Sequence, residues 1–357
     1  MAAYTAIDDP EAQFQVQLYT GNGSADHAIT LPGDTDMSPN LVWIKNRDAT
    51  DQHCMFDTTR GATKLIGSNT NAAQTTDGDT LDSFTSDGFQ VDADVKVNTN
   101  TEDYVAWCWN ATGSTASNTD GTNITSTVDA NTTSGFSIVS WTGDNSGSST
   151  VGHGLGKVAE VVITKNLADG QPMHMKHKSH AANSMSDLDG TAAQSSRAGA
   201  TNGGLGDLSG TTTFGFVAGS AGVPANNGAS DAMIAYVFNS VQGFSKFSSF
   251  VGNGNADGAF IYLGFSASYI LIKNLTSTSN WELFDNKRPG YNTGHGKLYP
   301  NGTSPEDADQ ERLDILANGF KCRSTNVATN ESGSTFVYMA FAEAPLVNSE
   351  GVPCNAR

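Results

Sequence analysis

The stretch Leu41-Val42-Trp43-Ile44-Lys45-Asn46 returns as Val161-Val162-Ile163-Thr164-Lys165-Asn166 and again as Tyr269-Ile270-Leu271-Ile272-Lys273-Asn274. Twelve residues after each lysine stand Asp57, His177 and Asp285, and three further on stand Arg60, His180 and Arg288. Two gap-free spacings kept in three places mark a repeated unit. Each stretch is apolar on successive residues rather than alternating, which predicts a central strand covered on both faces.

Working outward, a short strand and a glycine turn precede each anchor: Leu18-Tyr19-Thr20-Gly21-Asn22-Gly23, Ser140-Trp141-Thr142-Gly143-Asp144-Asn145 and Ser249-Phe250-Val251-Gly252-Asn253-Gly254. Asn-Gly is the strongest short hairpin signal, because both residues accept positive φ. An aromatic run closes each unit: Tyr104-Val105-Ala106-Trp107-Cys108-Trp109, Met233-Ile234-Ala235-Tyr236-Val237-Phe238 and Tyr338-Met339-Ala340-Phe341-Ala342. Asp87-Gly88-Phe89 and Asn318-Gly319-Phe320 each read as a turn entering a strand. Short strands separated by turn clusters predict an all-β fold of three degenerate repeats of an antiparallel β-sandwich, jelly-roll-like unit.

The predicted boundaries are an N-terminal arm over 1–13, repeats over 14–110, 136–240 and 241–345, and a C-terminal tail over 346–357. Residues 111–135, nearly all Ala, Thr, Ser, Asn, Gly and Asp, read as a linker or extended crossing segment. Val241-Gln242-Gly243 is too short to separate the second and third repeats, which should share an interface. One helical turn is expected at Ser304-Pro305-Glu306-Asp307-Ala308-Asp309, with serine as cap and proline at the first helical position.

Composition supports the β reading. The 357 residues include 38 glycines and only 16% charged residues. Leu, Lys, Arg and Glu, which favour helices, are scarce. With 19 basic against 37 acidic residues, the net charge is −18. No basic stripe is present to displace counterions from phosphates, so no nucleic-acid partner is expected. The cysteines Cys54, Cys108, Cys322 and Cys354 are scattered without a CxxC, which predicts free thiols and synthesis in a reducing cytoplasm. The first ten residues resemble no signal peptide, and no apolar run nears the roughly 20 residues that cross a bilayer, so no membrane insertion is expected.

Chemistry-bearing residues are few. His174, His177 and His180 invite a metal reading, but two of them replace the Asp and Arg of the other repeats, and a solvated strand and turn is favoured. Asp57 with Arg60, and Asp285 with Arg288, predict surface ion pairs of ~0–1 kcal/mol. Asp77-Gly78-Asp79 and Asp92-Ala93-Asp94 are the only candidates for a structural Ca2+, and neither completes an EF-hand loop. No other cofactor is expected. No nucleophile elbow, phosphate loop or zinc-protease motif occurs, and no carboxylate pair for glycoside cleavage can be named from spacing, so no catalytic residue and no enzymatic activity are assigned. Of the five tryptophans, Trp43, Trp107, Trp109 and Trp141 fall inside strand patterns and read as core. Trp281, beside Asn280, is the best exposed candidate for stacking on a sugar.

The ending Tyr338-Met339-Ala340-Phe341-Ala342-Glu343-Ala344-Pro345 with Val352-Pro353-Cys354-Asn355-Ala356-Arg357, together with turns such as Thr20-Gly21-Asn22-Gly23, resembles tail-fibre-like or virion structural repeat proteins of marine and cyanobacterial phages. The resemblance covers roughly residues 14–357. It implies a phage virion structural protein, above all a tail-fibre-type attachment component. Its partners would then be other virion proteins and a host-surface glycan or protein, and its assembly a homotrimer. Two alternatives remain open: a capsid or tail decoration protein, and a glycan-degrading tailspike-type enzyme.

Overall fold

The computed structural model describes residues 4–288, 296–308 and 311–354. Over these residues the chain is nearly all β, in antiparallel sheets, with single-turn helices at Pro10–Ala12, Val95–Asn98 and Pro224–Asn227. No helix among them is long and apolar enough to cross a membrane.

The three anchor strands occupy the same place in three sheets. In the first unit the order is Phe14–Thr20, Asp103–Trp109, Leu41–Asn46, Cys54–Asp57. In the second it is Phe136–Thr142, Ala232–Phe238, Val161–Asn166, His174–His177, and in the third Ser245–Val251, Thr335–Pro345, Phe265–Asn274, Glu282–Asp285. The register corresponds too, with Trp43 opposite Trp107, Ile163 opposite Tyr236 and Leu271 opposite Met339. In each unit a three-stranded outer sheet accompanies this inner one.

Strand alternation explains why the anchors are apolar throughout. Leu41 and Trp43 face a core shared by all three units, whereas Val42 and Ile44 face the first unit's own sandwich. Val161 and Ile163 divide from Val162 in the same way. In the third unit the two cores merge. Burying each such side chain contributes about 1.5–3 kcal/mol. At the centre, Phe341 meets Phe14 and Trp109 of the first unit, Phe238 of the second and Tyr269 of the third, at ring-centroid distances of 5.1 to 5.9 Å.

The glycine turns are not hairpins. The strands on either side of each turn belong to different sheets, so the chain uses the turn to step from the inner sheet to the outer one. Only the third residue of each turn takes positive φ: Gly23 at 66°, Asn145 at 56° and Gly254 at 64°. The first is glycine because a Cβ at Gly21, Gly143 or Gly252 would lie 2.1 to 2.3 Å from the carbonyl oxygen of Thr99, Gly228 or Glu331. Three buried asparagines hold these turns. The side-chain oxygens of Asn98, Asn227 and Asn330 accept from the backbone of Asn22, Asp144 and Asn253 at 2.8, 3.3 and 3.0 Å.

Two other expectations need correction. Residues 111–135 are not a linker, since Ala116–Asn118 and Ser126–Asn131 extend the second unit's sheet beyond Phe136–Thr142. Val128 enters that unit's core, and Asp129 accepts from Thr112 N and Gly113 N at 2.8 and 3.0 Å, so a polar composition conceals a strand that satisfies its own polar groups. The helical turn expected from Ser304 is absent over 304–308, where Asp307 pairs with Lys297 as an isolated bridge and the Glu306 carboxylate reaches Arg47. Asp309 lies outside the described residues.

Each unit touches both others. Between the first and second, Tyr236 Oη donates to Asp57 at 2.8 Å and Lys165 Nζ to Asn71 O at 2.9 Å. Between the third and first, Trp107 Nε1 donates to Asp285 at 3.1 Å, Ser68 Oγ to Pro300 O at 2.7 Å and Arg47 Nε to Glu306 at 2.5 Å. The pairs Asp57–Arg60 and Asp285–Arg288 therefore sit inside the seams. Their side chains are at most 3% exposed, which overturns the surface reading. The arm is tied down as well, with Ile7 in the shared core and Asp8 accepting from Ser349 N at 2.6 Å.

Candidate functional site

The seam between the second and third units contains a cleft built on the end of an anchor strand. Lys273 is fully buried, and its ammonium donates to Thr191 O of the second unit at 2.9 Å and to Ser279 O of the third at 2.5 Å. Burial lowers its pKa to about 8. The two carbonyls meet the buried charge, and Ser279 N donates to Thr191 O at 2.9 Å, which fixes the two walls against each other.

The structure separates the two neighbours singled out in the sequence. Trp281 is 1% exposed and fills the seam, its indole N–H donating to Asp187 O at 3.0 Å, with the Lys273 ammonium 6.0 Å from its ring centroid. The expectation of an exposed ring is overturned: an indole can pack its apolar body and still satisfy its one donor in a seam. Asn280 does reach solvent. It lines an open cleft of about 320 Å³ with Thr191, Ser279, Glu282, Tyr299 and Arg312. Its Oδ1 accepts from Asn301 at 2.9 Å, and its amide N–H groups make no bond among the described residues.

Glu282 opens the strand Glu282–Asp285 and is 2% exposed. It stands where the other units place Cys54 and His174, opposite Ile272, Ile44 and Thr164 respectively. Its Oε1 lies 3.8 Å from Arg312 Nε, beyond hydrogen-bond reach. Glu282 Oε2, Arg312 Nε and Ser279 Oγ are all buried and have no hydrogen-bond partner among the described residues. Desolvation raises the Glu282 pKa to about 7, against the opposing pull of Arg312 and Lys297. An unpaired buried polar atom costs about 1–3 kcal/mol, so three in one cleft call for water or a ligand to meet them. The arrangement sets closely placed donors and acceptors on a guanidinium and a carboxyl of opposite sign, which suits hydroxyl groups.

Sequence reasoning missed Glu282, Arg312, Ser279 and Thr191. One signal was legible, an acid within the apolar strand Trp281-Glu282-Leu283-Phe284. Arg312 and Thr191 carry no local mark, because the chain brings them to the cleft only through the fold.

The other candidates do not converge. His174, His177 and His180 are buried, not solvated. The Nδ1 of His180 accepts from His177 N at 2.8 Å, while His174 turns to Asp187 at 3.2 Å. Among the described residues no group of three or more His, Cys, Asp or Glu is placed to hold a metal ion. Of the acidic loop residues proposed for Ca2+, Asp77 and Asp94 face the Lys96 ammonium at 3.5 and 2.7 Å, so a cation of the chain itself sits between them. All four cysteines are free, and burial pushes the Cys54 thiol up to about 12.

Residues 9–345 match a family described as a domain of unknown function, DUF7483. No curated protein and no solved structure matches the chain.

Proposed function

The chain belongs to the DUF7483 family, whose description assigns no activity, and on that footing we propose that it is a phage virion structural protein of the attachment type, binding a host-surface glycan through the cleft around Asn280. The phage setting rests on the resemblance of the repeat and of the ending Tyr338–Arg357. The binding role rests on one observation above all: Glu282 Oε2, Arg312 Nε and Ser279 Oγ are buried without a hydrogen-bond partner among the described residues, on side chains that line a single open cleft. A rigid seam supports this role, since a site held by packed strands binds without first ordering a loop. A homotrimer is a separate matter from three-fold closure, which this chain reaches alone by joining its own three units. Light scattering on the purified protein measures that state directly.

The test is adsorption. Purified protein should bind host cells and block infection, and Asn280→Ala should lose most of both effects while its unfolding curve stays unchanged. Stoichiometric binding to empty capsids without cell adsorption would replace this reading with a decoration role.

One observation favours a second reading. A buried carboxyl brought to about 7 in an open cleft suits a general acid, as glycan cleavage requires. Release of reducing sugar from host polysaccharide, abolished by Glu282→Gln, would make the protein a tailspike-type enzyme.

A further inference from the structure

We infer that the cleft selects a neutral sugar presenting adjacent hydroxyls, and that Glu282, Arg312 and Ser279 read this diol as one unit. The inference rests on the attachment reading and narrows it to a ligand class.

Arg312 Nε can only donate, ionised Glu282 Oε2 can only accept, and Ser279 Oγ can do either. A sugar hydroxyl is both donor and acceptor. One hydroxyl can therefore accept from the guanidinium and donate to the carboxylate, whose Oε1 lies 3.8 Å from Arg312 Nε. A neighbouring hydroxyl then meets Ser279 Oγ or the unused amide N–H groups of Asn280. A ligand carboxylate or sulfate could accept from Arg312 but would face Glu282 as a like charge. An ammonium would face Arg312 in the same way. Only a group that is donor and acceptor at once complements both side chains. The seam adds selectivity: Thr191 belongs to the second unit and the other groups to the third, with Lys273 holding the two walls at fixed separation.

The corresponding positions in the other two units lack this chemistry, because Cys54 and His174 replace the carboxyl. Cys54 Sγ bonds only Gln52 O at 3.7 Å, and His174 is satisfied by Asn226 at 3.0 Å and Asp187 at 3.2 Å. A single site per chain follows.

Binding also has a pH signature. The charged and titratable groups around Glu282 are Arg312, Lys297, Asp307 and Tyr299. A hydroxyl that donates to Glu282 favours its ionised form, so binding lowers its pKa from the free value of about 7. By linkage, affinity rises as pH climbs towards about 7 and levels off above it.

The experiment is calorimetry and array binding with the full chain against neutral, uronate-containing and sulfated oligosaccharides. We expect one site per chain, at least a tenfold preference for neutral sugars, and tighter binding at pH 8 than at pH 5.5. Arg312→Lys and Glu282→Gln should each weaken binding tenfold or more, and Asn280→Ala, at a half-buried position bonded only within its own unit, should do so without removing a contact between the two walls. Thr303→Ala, outside the cleft, should bind as the parent. Preference for acidic sugars, or unchanged binding by Glu282→Gln, overturns the diol inference and leaves attachment standing. Cell adsorption by a protein that binds no saccharide overturns the diol inference and the glycan reading together. Absence of both cell adsorption and saccharide binding overturns attachment itself.

Discussion

Two seams of this molecule place a buried ion pair where the third places two imidazoles. At the first, Asp57 accepts from the Arg60 guanidinium at 2.5 Å and from Tyr236 Oη of the next unit at 2.8 Å. At the closing seam Asp285 accepts from Arg288 at 2.6 Å and from Trp107 Nε1 at 3.1 Å. At the remaining seam the corresponding residues are His177 and His180, and the strand position equivalent to Tyr236 and Trp107 is Met339. The lesson is conditional. A buried carboxylate is kept where the neighbour brings an O–H or N–H donor, and neutral rings stand where the neighbour brings a thioether. One chain thus holds two solutions to the same burial problem.

The largest effect should come from breaking a charge pair from one side. Asp57→Ala leaves Arg60 buried without its carboxylate and should destabilise the fold by about 3–5 kcal/mol. His177→Ala removes an uncharged ring and should cost about 1–3 kcal/mol. Urea unfolding midpoints compare the two directly. Equal losses would show that the charge in the first seam has no special standing. A smaller effect belongs to the donor itself. Tyr236→Phe keeps the ring but deletes a hydrogen bond to a charged group, about 1.5–3 kcal/mol, whereas Met339→Leu should stay under about 1.5 kcal/mol. The pairing rule is sharpened by transplanting it. His177→Asp with His180→Arg should be less stable than the parent, and adding Met339→Tyr should recover part of that loss.

Much of this architecture was legible because it rests on spacing. The anchors Leu41–Asn46 and Val161–Asn166 are buried at every residue, and the expected core tryptophans Trp43, Trp107, Trp109 and Trp141 are all buried. What escaped the sequence is what depends on a neighbour. Asp57 and Arg60 look like a surface pair until the second unit covers them, and Trp281 looks exposed until Asp187 of the adjoining unit accepts its N–H. Asn98, Asn227 and Asn330 stand far along the chain from the turns they hold, so no local pattern flags them. The strand Ser126–Asn131 was hidden by a polar composition that its own hydrogen bonds satisfy. Of the cleft, Asn280 was named for its setting, while Glu282 and Arg312 acquire meaning only once they are found 3.8 Å apart, with no hydrogen bond to Glu282 Oε2 or Arg312 Nε among the described residues.

The smallest expected effect is a titration, and it separates the imidazole seam from the two charged ones. Burial, reinforced by the nearby Lys176 ammonium, lowers the His180 pKa to about 3, and its Nε2 is paired with Ser186 Oγ at 2.8 Å. His177 is lowered in the same direction, by burial first and by His180 and Lys178 after it. A base whose folded pKa is depressed binds fewer protons than its unfolded form, so the stability it contributes is present above about 6.5 and is lost as pH falls from there towards about 3. Between pH 7 and pH 6 the loss from His180 should be about 0.5–1 kcal/mol. His180→Gln keeps a polar group for Ser186 but cannot titrate, so the difference in unfolding midpoint between parent and variant should shrink on that interval. A difference that stays constant with pH would mean that the ring is solvated in the folded chain, and the distinction between the seams would then reduce to packing alone.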